Sequence, residues 1–559
     1  MRSTGGMIVA DEPLAAQAGL EILSRGGNAV DAAVAVAFAL AVTHPQAGNI
    51  GGGGFMLIRK ANGETVFIDY REVAPAAATP GMYLDEKGQL VPKASTESWR
   101  ASGVPGTVAG LEFALKNHGT QPWDKVIDPA IRLAEGGFEV SPRLSEDIEE
   151  NAPKLRRFAE TTDIFFRKGK ALQPGDKLKQ KDLADTLKKI AKGGAREFYQ
   201  GSIAAAIENQ MKRSRGLITR DDLRAYQVKT REPLVGEFRG YQIVTAPPPS
   251  SGGVAVLEML NTLDHLLPAD TRAQDTGTMH VVAEAMRRAF ADRARYLADP
   301  DFACVPVAEL TNPEYGARLS TLISRERASS SAGLKMPDVS KPAPAGCKPS
   351  AQVAGREGSN TTHFSVIDSE GNAVANTYTL NDSFGSGVTV PGLGFLLNDE
   401  MDDFTTKPGE PNMFKLIQSD ANKIEPGKRP LSSMTPTIVV RGGKTVLVLG
   451  SPGGGRIINS VLLVLLNRLA FNLELPEAVA LPRYHHQWLP DTLFVEKEMF
   501  TQEKIDALRA LGHDVRDVSE MSSSGPKFIG QVNAIERDPK TGELIGVGDG
   551  RRGGVARAH

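Results

Sequence analysis

An α/β fold is what the sequence predicts, and three stretches predict it. A helical pattern runs from Asn28 through Val30, Ala33, Val34, Ala37, Phe38 and Leu40, apolar on nearly every side. Such a helix belongs in an interior and not at a surface. A pair of strands alternates across 362–380 and turns at Asp368-Ser369-Glu370-Gly371-Asn372. Finally, the strand-like Thr445-Val446-Leu447-Val448-Leu449 passes through Ser451-Pro452-Gly453-Gly454-Gly455-Arg456 into a helix at Ile457.

Taken in chain order, Asn28 can cap its helix by accepting from the first free N–H groups. Pro45 discourages helix beyond His44. Gly51-Gly52-Gly53-Gly54 leads into the strand-like Phe55-Met56-Leu57-Ile58, and Thr65-Val66-Phe67-Ile68-Asp69-Tyr70 returns to end at Arg71. From about 105 to 325 the chain reads as helices with a few strands. Pro247-Pro248-Pro249-Ser250-Ser251-Gly252-Gly253 forms a rigid turn entering one of these helices. Between about 327 and 360 the composition shifts to Ser, Pro, Gly, Ala and Lys. That stretch buries too little to offset its ordering entropy and is expected to be mobile. On composition alone it is an interdomain linker. Directly after it, Thr362, Phe364 and Val366 alternate with His363, Ser365 and Ile367, and 373–380 returns as the second strand.

At 559 residues the chain exceeds the usual limit of one hydrophobic core, although large layered α/β folds absorb this much as one unit. Hydrophobic content of 41% and charged content of 24% are those of a soluble globular protein. A net charge of −2 makes no electrostatic case for nucleic acid or an anionic membrane, so a small molecule is the expected substrate. The apolar stretch 29–42 is interrupted by Asp31 and too short to span a bilayer. Met1-Arg2-Ser3-Thr4-Gly5-Gly6 lacks the charged-then-apolar pattern of a signal peptide. Cys304 and Cys347 match no zinc spacing; they can form one bridge or stay free.

The junction at 360 carries the chemistry. A threonine hydroxyl is a weak nucleophile and needs an adjacent base. A free α-amine on the same residue can serve, since its ordinary pKa is about 7.7–8.0. Such a threonine must be N-terminal, so an internal one is recruited only by breaking the bond before it. Asn360-Thr361-Thr362-His363 offers that threonine where a polar stretch meets a strand.

Asn360-Thr361-Thr362-His363-Phe364-Ser365-Val366 resembles the processing and nucleophile motif of the γ-glutamyltransferase family. The resemblance extends from Gly26-Gly27-Asn28-Ala29-Val30-Asp31-Ala32-Ala33 to Arg483-Tyr484-His485-His486-Gln487-Trp488. It implies an N-terminal-nucleophile hydrolase with an αββα sandwich, formed by two autoproteolytic subunits: a large one, 1–360, and a small one, 361–559. By the same resemblance Thr361 is the nucleophile of both self-cleavage and turnover, and Thr379 bonds its hydroxyl. Gly453 and Gly454 supply oxyanion-hole amides, donors that face charge developing only in the transition state.

A γ-glutamyl group presents an α-carboxylate and an α-ammonium. The resemblance gives the carboxylate to Arg71, whose planar guanidinium suits it, with Ser432 and Ser433 as hydroxyl donors. It gives the ammonium to Asn381, Glu400 and Asp403. Taken singly, Arg71 and Asp403 read as surface ion-pair residues and Thr379 as an ordinary strand residue. The stretch from Lys407 through Phe414 to Lys428 resembles a lid loop. Phe414 stands where relatives often have Tyr, which keeps an aromatic cover but removes a phenolic hydrogen bond. An exposed aromatic loop is the plainer reading.

The expected activity is acyl transfer from a glutathione-like donor to water or to an amino-acid or peptide acceptor, without metal or organic cofactor. Relatives are often periplasmic or secreted. Two rivals share the scaffold: an acylase acting on a glutaryl-type side chain, and a non-catalytic binding protein. Loss of Asn381, Glu400 and Asp403 would favour the first and an altered Thr361 the second; all four are present. No Gly-x-Ser-x-Gly elbow, His-Glu-x-x-His pair or dinucleotide fingerprint occurs. His280, Glu284, His485 and His486 are expected to be structural.

Overall fold

The computed structural model describes residues 1–339, 360–406, 419–521 and 528–559. Two seven-stranded sheets face each other, with helices packed outside each. The expected αββα sandwich is the architecture found.

The strands of the two sheets, in chain order, are β1 (Arg2–Ser3), β2 (Met7–Ala10), β3 (Gly53–Arg59), β4 (Thr65–Asp69) and β5 (Lys229–Arg231). They continue with β6 (Leu234–Phe238), β7 (Tyr241–Thr245), β8 (Thr361–Ile367), β9 (Ala373–Thr379) and β10 (Thr437–Arg441). The last four are β11 (Lys444–Gly450), β12 (Asn533–Arg537), β13 (Leu544–Val547) and β14 (Val555–Ala558). One sheet runs β14-β2-β8-β9-β3-β4-β5 and the other β1-β13-β12-β11-β10-β7-β6. Residues before and after 360 therefore interleave in both sheets, which makes the two halves of the chain one folding unit.

The hairpin β8–β9 lies at the centre of its sheet, and all its residues are buried. Its alternation splits the side chains between two cores. Phe364, Val366 and Val374 pack toward α1 (Pro13–Ser24) and α2 (Ala29–Thr43). Ile367, Ala373 and Ala375 join the core between the sheets with Ile438 and Val448. Polar residues of the hairpin facing the other sheet bond to one another, and Ser365 Oγ also donates to Asn533 O of β12 at 3.1 Å. His363 bonds Thr377 Oγ1 through Nδ1 at 2.8 Å and Ser365 Oγ through Nε2 at 3.1 Å. Burial pushes this imidazole down to about 3, so it is neutral. Its ring lies against Gly450, where a Cβ would fall 2.3 Å from Cε1.

All of α2 is buried, as its apolar circumference requires. Asn28 caps it by accepting from the N–H groups of Val30 and Asp31, while Asp31 accepts from Asn28 N. On the far side, α3 (Gly252–Asp264), α4 (Thr276–Tyr296) and α5 (Arg456–Leu465) cover the second sheet. His280 and Glu284 of α4 are interior: His280 bonds His513 at 2.8 Å, and Glu284 accepts from Arg287 and Arg288. His485 bonds Asn459 and Gln487. No metal-binding group of three or more candidate ligands occurs among the described residues.

Composition predicts mobility from about 327, but the first part of that stretch is held. Ala328 N donates to Leu511 O, Ser329 N to Glu284 Oε1 and Ser331 N to Asp491 Oδ2. These backbone bonds to distant partners were invisible to composition. Residues 340–359 lie outside the described residues.

Asn28→Ala removes a cap worth about 1 kcal/mol and should lower the melting temperature by about one degree, read by thermal denaturation. An unchanged melting temperature would show that α2 is held by packing alone.

Candidate active site

Strand pairing brings two threonine hydroxyls together. In the antiparallel register of β8 and β9, Thr361 stands opposite Thr379, and Thr361 Oγ1 donates to Thr379 Oγ1 at 3.2 Å. Thr379 Oγ1 donates in turn to Asn360 O, the carbonyl of the Asn360–Thr361 bond, at 3.0 Å. The nucleophile candidate, its partner and the carbonyl it would attack are thus joined in one chain of hydrogen bonds. Asn360 is also pinned through its side chain. Its Nδ2 donates to Ser383 Oγ at 2.7 Å, and Arg552 Nη1 donates to its Oδ1 at 3.1 Å.

A cleft opens beside Thr361, and its lining gathers residues from six separate places in the chain. Thr361, Thr379, Asn381, Arg71, Glu400, Asp403, Ser432, Ser433 and Gly454 all border it. Arg71 follows β4, Asn381 follows β9 with φ of +81°, and Gly454 lies in the loop joining β11 to α5. Gly453 precedes it with φ of +134° and Gly454 has φ of +59°, conformations that glycine adopts without strain. Phe414 lies outside the described residues.

Charge in the cleft is concentrated and buried. Arg71 is 1% exposed; its Nη2 donates to Asp403 Oδ2 at 2.5 Å and its Nη1 to Glu400 Oε1. The Pro430 and Leu431 carbonyls also accept from it, each at 3.3 Å. The cation assigned to a carboxylate and the carboxylates assigned to an ammonium therefore form one interleaved cluster. Glu72 adds a third carboxylate, 3.7 Å from Arg71 Nη1. Sequence reasoning missed Glu72, although it adjoins Arg71, because a charged residue in a loop resembles a solvated one. Burial, only partly offset by Arg71, pushes the carboxyls up, Glu72 to about 7 and Glu400 to about 8, with Asp403 also well raised. A further cation in the cleft would favour the ionised forms of these carboxyls.

A threonine at the edge of the cleft, on the first residue of a central strand of an αββα sandwich, defines an N-terminal-nucleophile hydrolase. The chain belongs to the γ-glutamyltranspeptidase family, whose model matches residues 15–559. It is 46% identical over 552 residues to the glutathione hydrolase proenzyme of Escherichia coli strain K12, covering 99% of this chain and 91% of that protein. Among solved structures, cephalosporin acylase from Bacillus halodurans superposes with a TM-score of 0.85 at 27% identity, over 100% of this chain and 96% of the other. A chain of Helicobacter pylori γ-glutamyltranspeptidase is 46% identical with a TM-score of 0.57, covering 58% of this chain and 93% of the other.

Two outcomes test the site. Thr379→Val keeps the branched shape but removes the hydroxyl that links Thr361 to the Asn360 carbonyl. Turnover of the mature protein should fall about a hundredfold, read as kcat, with the melting temperature nearly unchanged. A loss in KM alone would contradict the arrangement. The second concerns pH. A carboxyl raised on folding stabilises the protein while protonated, below its unfolded value of 4.5, and that contribution is lost as pH climbs through about 7 for Glu72. Glu72→Gln should therefore flatten the fall in melting temperature between pH 4.5 and 7. Parallel curves for the two proteins would show that Glu72 does not titrate there.

Proposed function

We propose that this chain is a γ-glutamyltransferase and glutathione hydrolase that matures by cutting its own Asn360–Thr361 bond. In maturation, Thr361 Oγ attacks the Asn360 carbonyl, the C–N bond breaks, and the freed nitrogen keeps the proton lost by the hydroxyl. Water then hydrolyses the resulting ester, leaving 1–360 and 361–559 as subunits. The observation that carries this reading is the cleft itself: a paired threonine hydroxyl at one end and Arg71 with Glu400 and Asp403 at the other.

In turnover, the Thr361 α-amine accepts the hydroxyl proton and the oxygen attacks the γ-amide carbon of the donor. The Gly453 and Gly454 amides hold the oxyanion, and the leaving amine departs with the proton. Water or an acceptor amine then takes the acyl group from the ester. A γ-glutamyl donor is a zwitterion, and the charge cluster suits it. Its α-carboxylate replaces part of the carboxylate company around Arg71, with Ser432 and Ser433 beside it. Its α-ammonium takes up Glu400, Asp403 and Asn381 and favours the ionised forms of the two carboxyls. The Helicobacter pylori relative, whose solved chain spans little more than half of this one, is consistent with a two-chain product.

We also place the mature enzyme in the periplasm or outside the cell, as the family resemblance implies. Among the described residues no helix is long and apolar enough to cross a membrane.

The acylase reading is separated by the donor. A γ-glutamyl anilide and a glutaryl anilide share the α-carboxylate position and differ in the ammonium. The γ-glutamyl compound should be turned over with kcat/KM at least about tenfold higher, and Asp403→Asn should narrow that preference mainly through KM. Equal or better turnover of the glutaryl compound would move the chain to the acylase reading.

A further inference from the structure

The turn Pro247-Pro248-Pro249-Ser250-Ser251-Gly252-Gly253 and the buried Arg293 take no part in the chemistry described above, yet both press on its carboxylate end. Resting on the γ-glutamyl reading, we propose that Arg293 is a positioning and specificity residue for the donor's α-carboxylate. It fixes the Ser432–Ser433 hydroxyl pair through Ser251 and places a second cation behind it.

Arg293 lies on α4 and is 1% exposed. Its Nε donates to Ser251 Oγ at 2.9 Å, and its Nη2 reaches Ser433 Oγ at 3.4 Å. Ser251 passes this hold to the loop that borders the cleft: its N and its Oγ each donate to Ser432 O at 2.7 Å. Ser432 N donates to Pro249 O at 2.8 Å, and Ser250 Oγ donates to Met434 O at 2.6 Å. The turn fits the loop without slack, since a Cβ on Gly252 would fall 1.9 Å from Thr435 Oγ1. The two segments therefore move as one body, and Arg293 ties that body to α4.

A guanidinium can only donate. Ser433 Oγ therefore accepts from Arg293, which fixes that oxygen at the border of the cleft. Ser432 Oγ is held in the same way, because it accepts from Met434 N at 3.1 Å. Both hydroxyls border the cleft next to Arg71, whose terminal nitrogens are already engaged by Glu400 and Asp403. An arriving carboxylate thus meets two fixed hydroxyls and the field of a second cation in addition to Arg71. Burial pushes Arg293 down to about 9, with the Asp403 charge partly offsetting it. A cation held at such a cost gains from an anion bound nearby.

The test uses mature enzyme and two donors, γ-glutamyl 4-nitroanilide and 4-aminobutanoyl 4-nitroanilide. The second keeps the ammonium and lacks the α-carboxylate. Wild type should prefer the first. Arg293→Gln should lower kcat/KM for the γ-glutamyl donor about 30-fold, chiefly through KM, and change the carboxylate-free donor by less than about threefold. Arg293→Lys should recover part of the loss by restoring charge without the fork. Ser251→Ala should act in the same direction as Arg293→Gln, by about threefold to tenfold. Should Arg293→Gln fail to mature, Arg293→Lys and Ser251→Ala carry the same comparison. Equal losses on both donors would overturn the proposal, leaving Arg293 a packing residue. A wild type with no preference between the donors would instead overturn the γ-glutamyl reading.

Discussion

The register of one hairpin governs the site. Because Thr361 pairs with Thr379 across β8 and β9, its hydroxyl meets a second hydroxyl that also holds the Asn360 carbonyl. A slip of one residue would turn Thr361 toward the opposite face and remove it from the cleft. The hairpin is therefore locked from both sides. Phe364 and Val366 are gripped by the α1–α2 layer, and Ile367, Ala373 and Ala375 by the core between the sheets. His363, neutral and bonded to Thr377 and Ser365, fills the polar gap against Gly450 without leaving a buried charge.

Around that rigid element the cleft holds a costly arrangement. Burying one guanidinium with three carboxylates is favourable only when charges are closely matched and bonded. Burial drives Glu72 and Glu400 toward neutrality, and Arg71 offsets it only in part. The glycine loop between β11 and α5 brings Gly454 to the same cleft from a different element of the sheet pair.

Much of this was legible in the chain. The all-round apolar α2, the alternating hairpin and the strand–glycine–helix segment each announce themselves by local pattern, and the structure has them where the pattern predicts. The cleft set came through resemblance, since Arg71, Asn381, Glu400 and Ser433 are far apart in sequence and none looks special alone. Glu72 and Arg293 were missed for one reason: a charged residue reads as solvated until the fold shows what covers it. The stretch after 327 failed in the opposite direction. Its polar composition suggested freedom, while Ser329 and Ser331 bond to Glu284 and Asp491, partners that local sequence cannot supply.

The most direct test of the account is the intact mass of the purified protein under denaturing, reducing conditions, beside Thr361→Ala. The account predicts two fragments for the wild type, 1–360 and 361–559, with Thr361 as the first residue of the second, and an uncut variant. A wild-type chain that stays whole at 59.8 kDa after prolonged incubation, or a Thr361→Ala chain that is cut at the same bond, would contradict it.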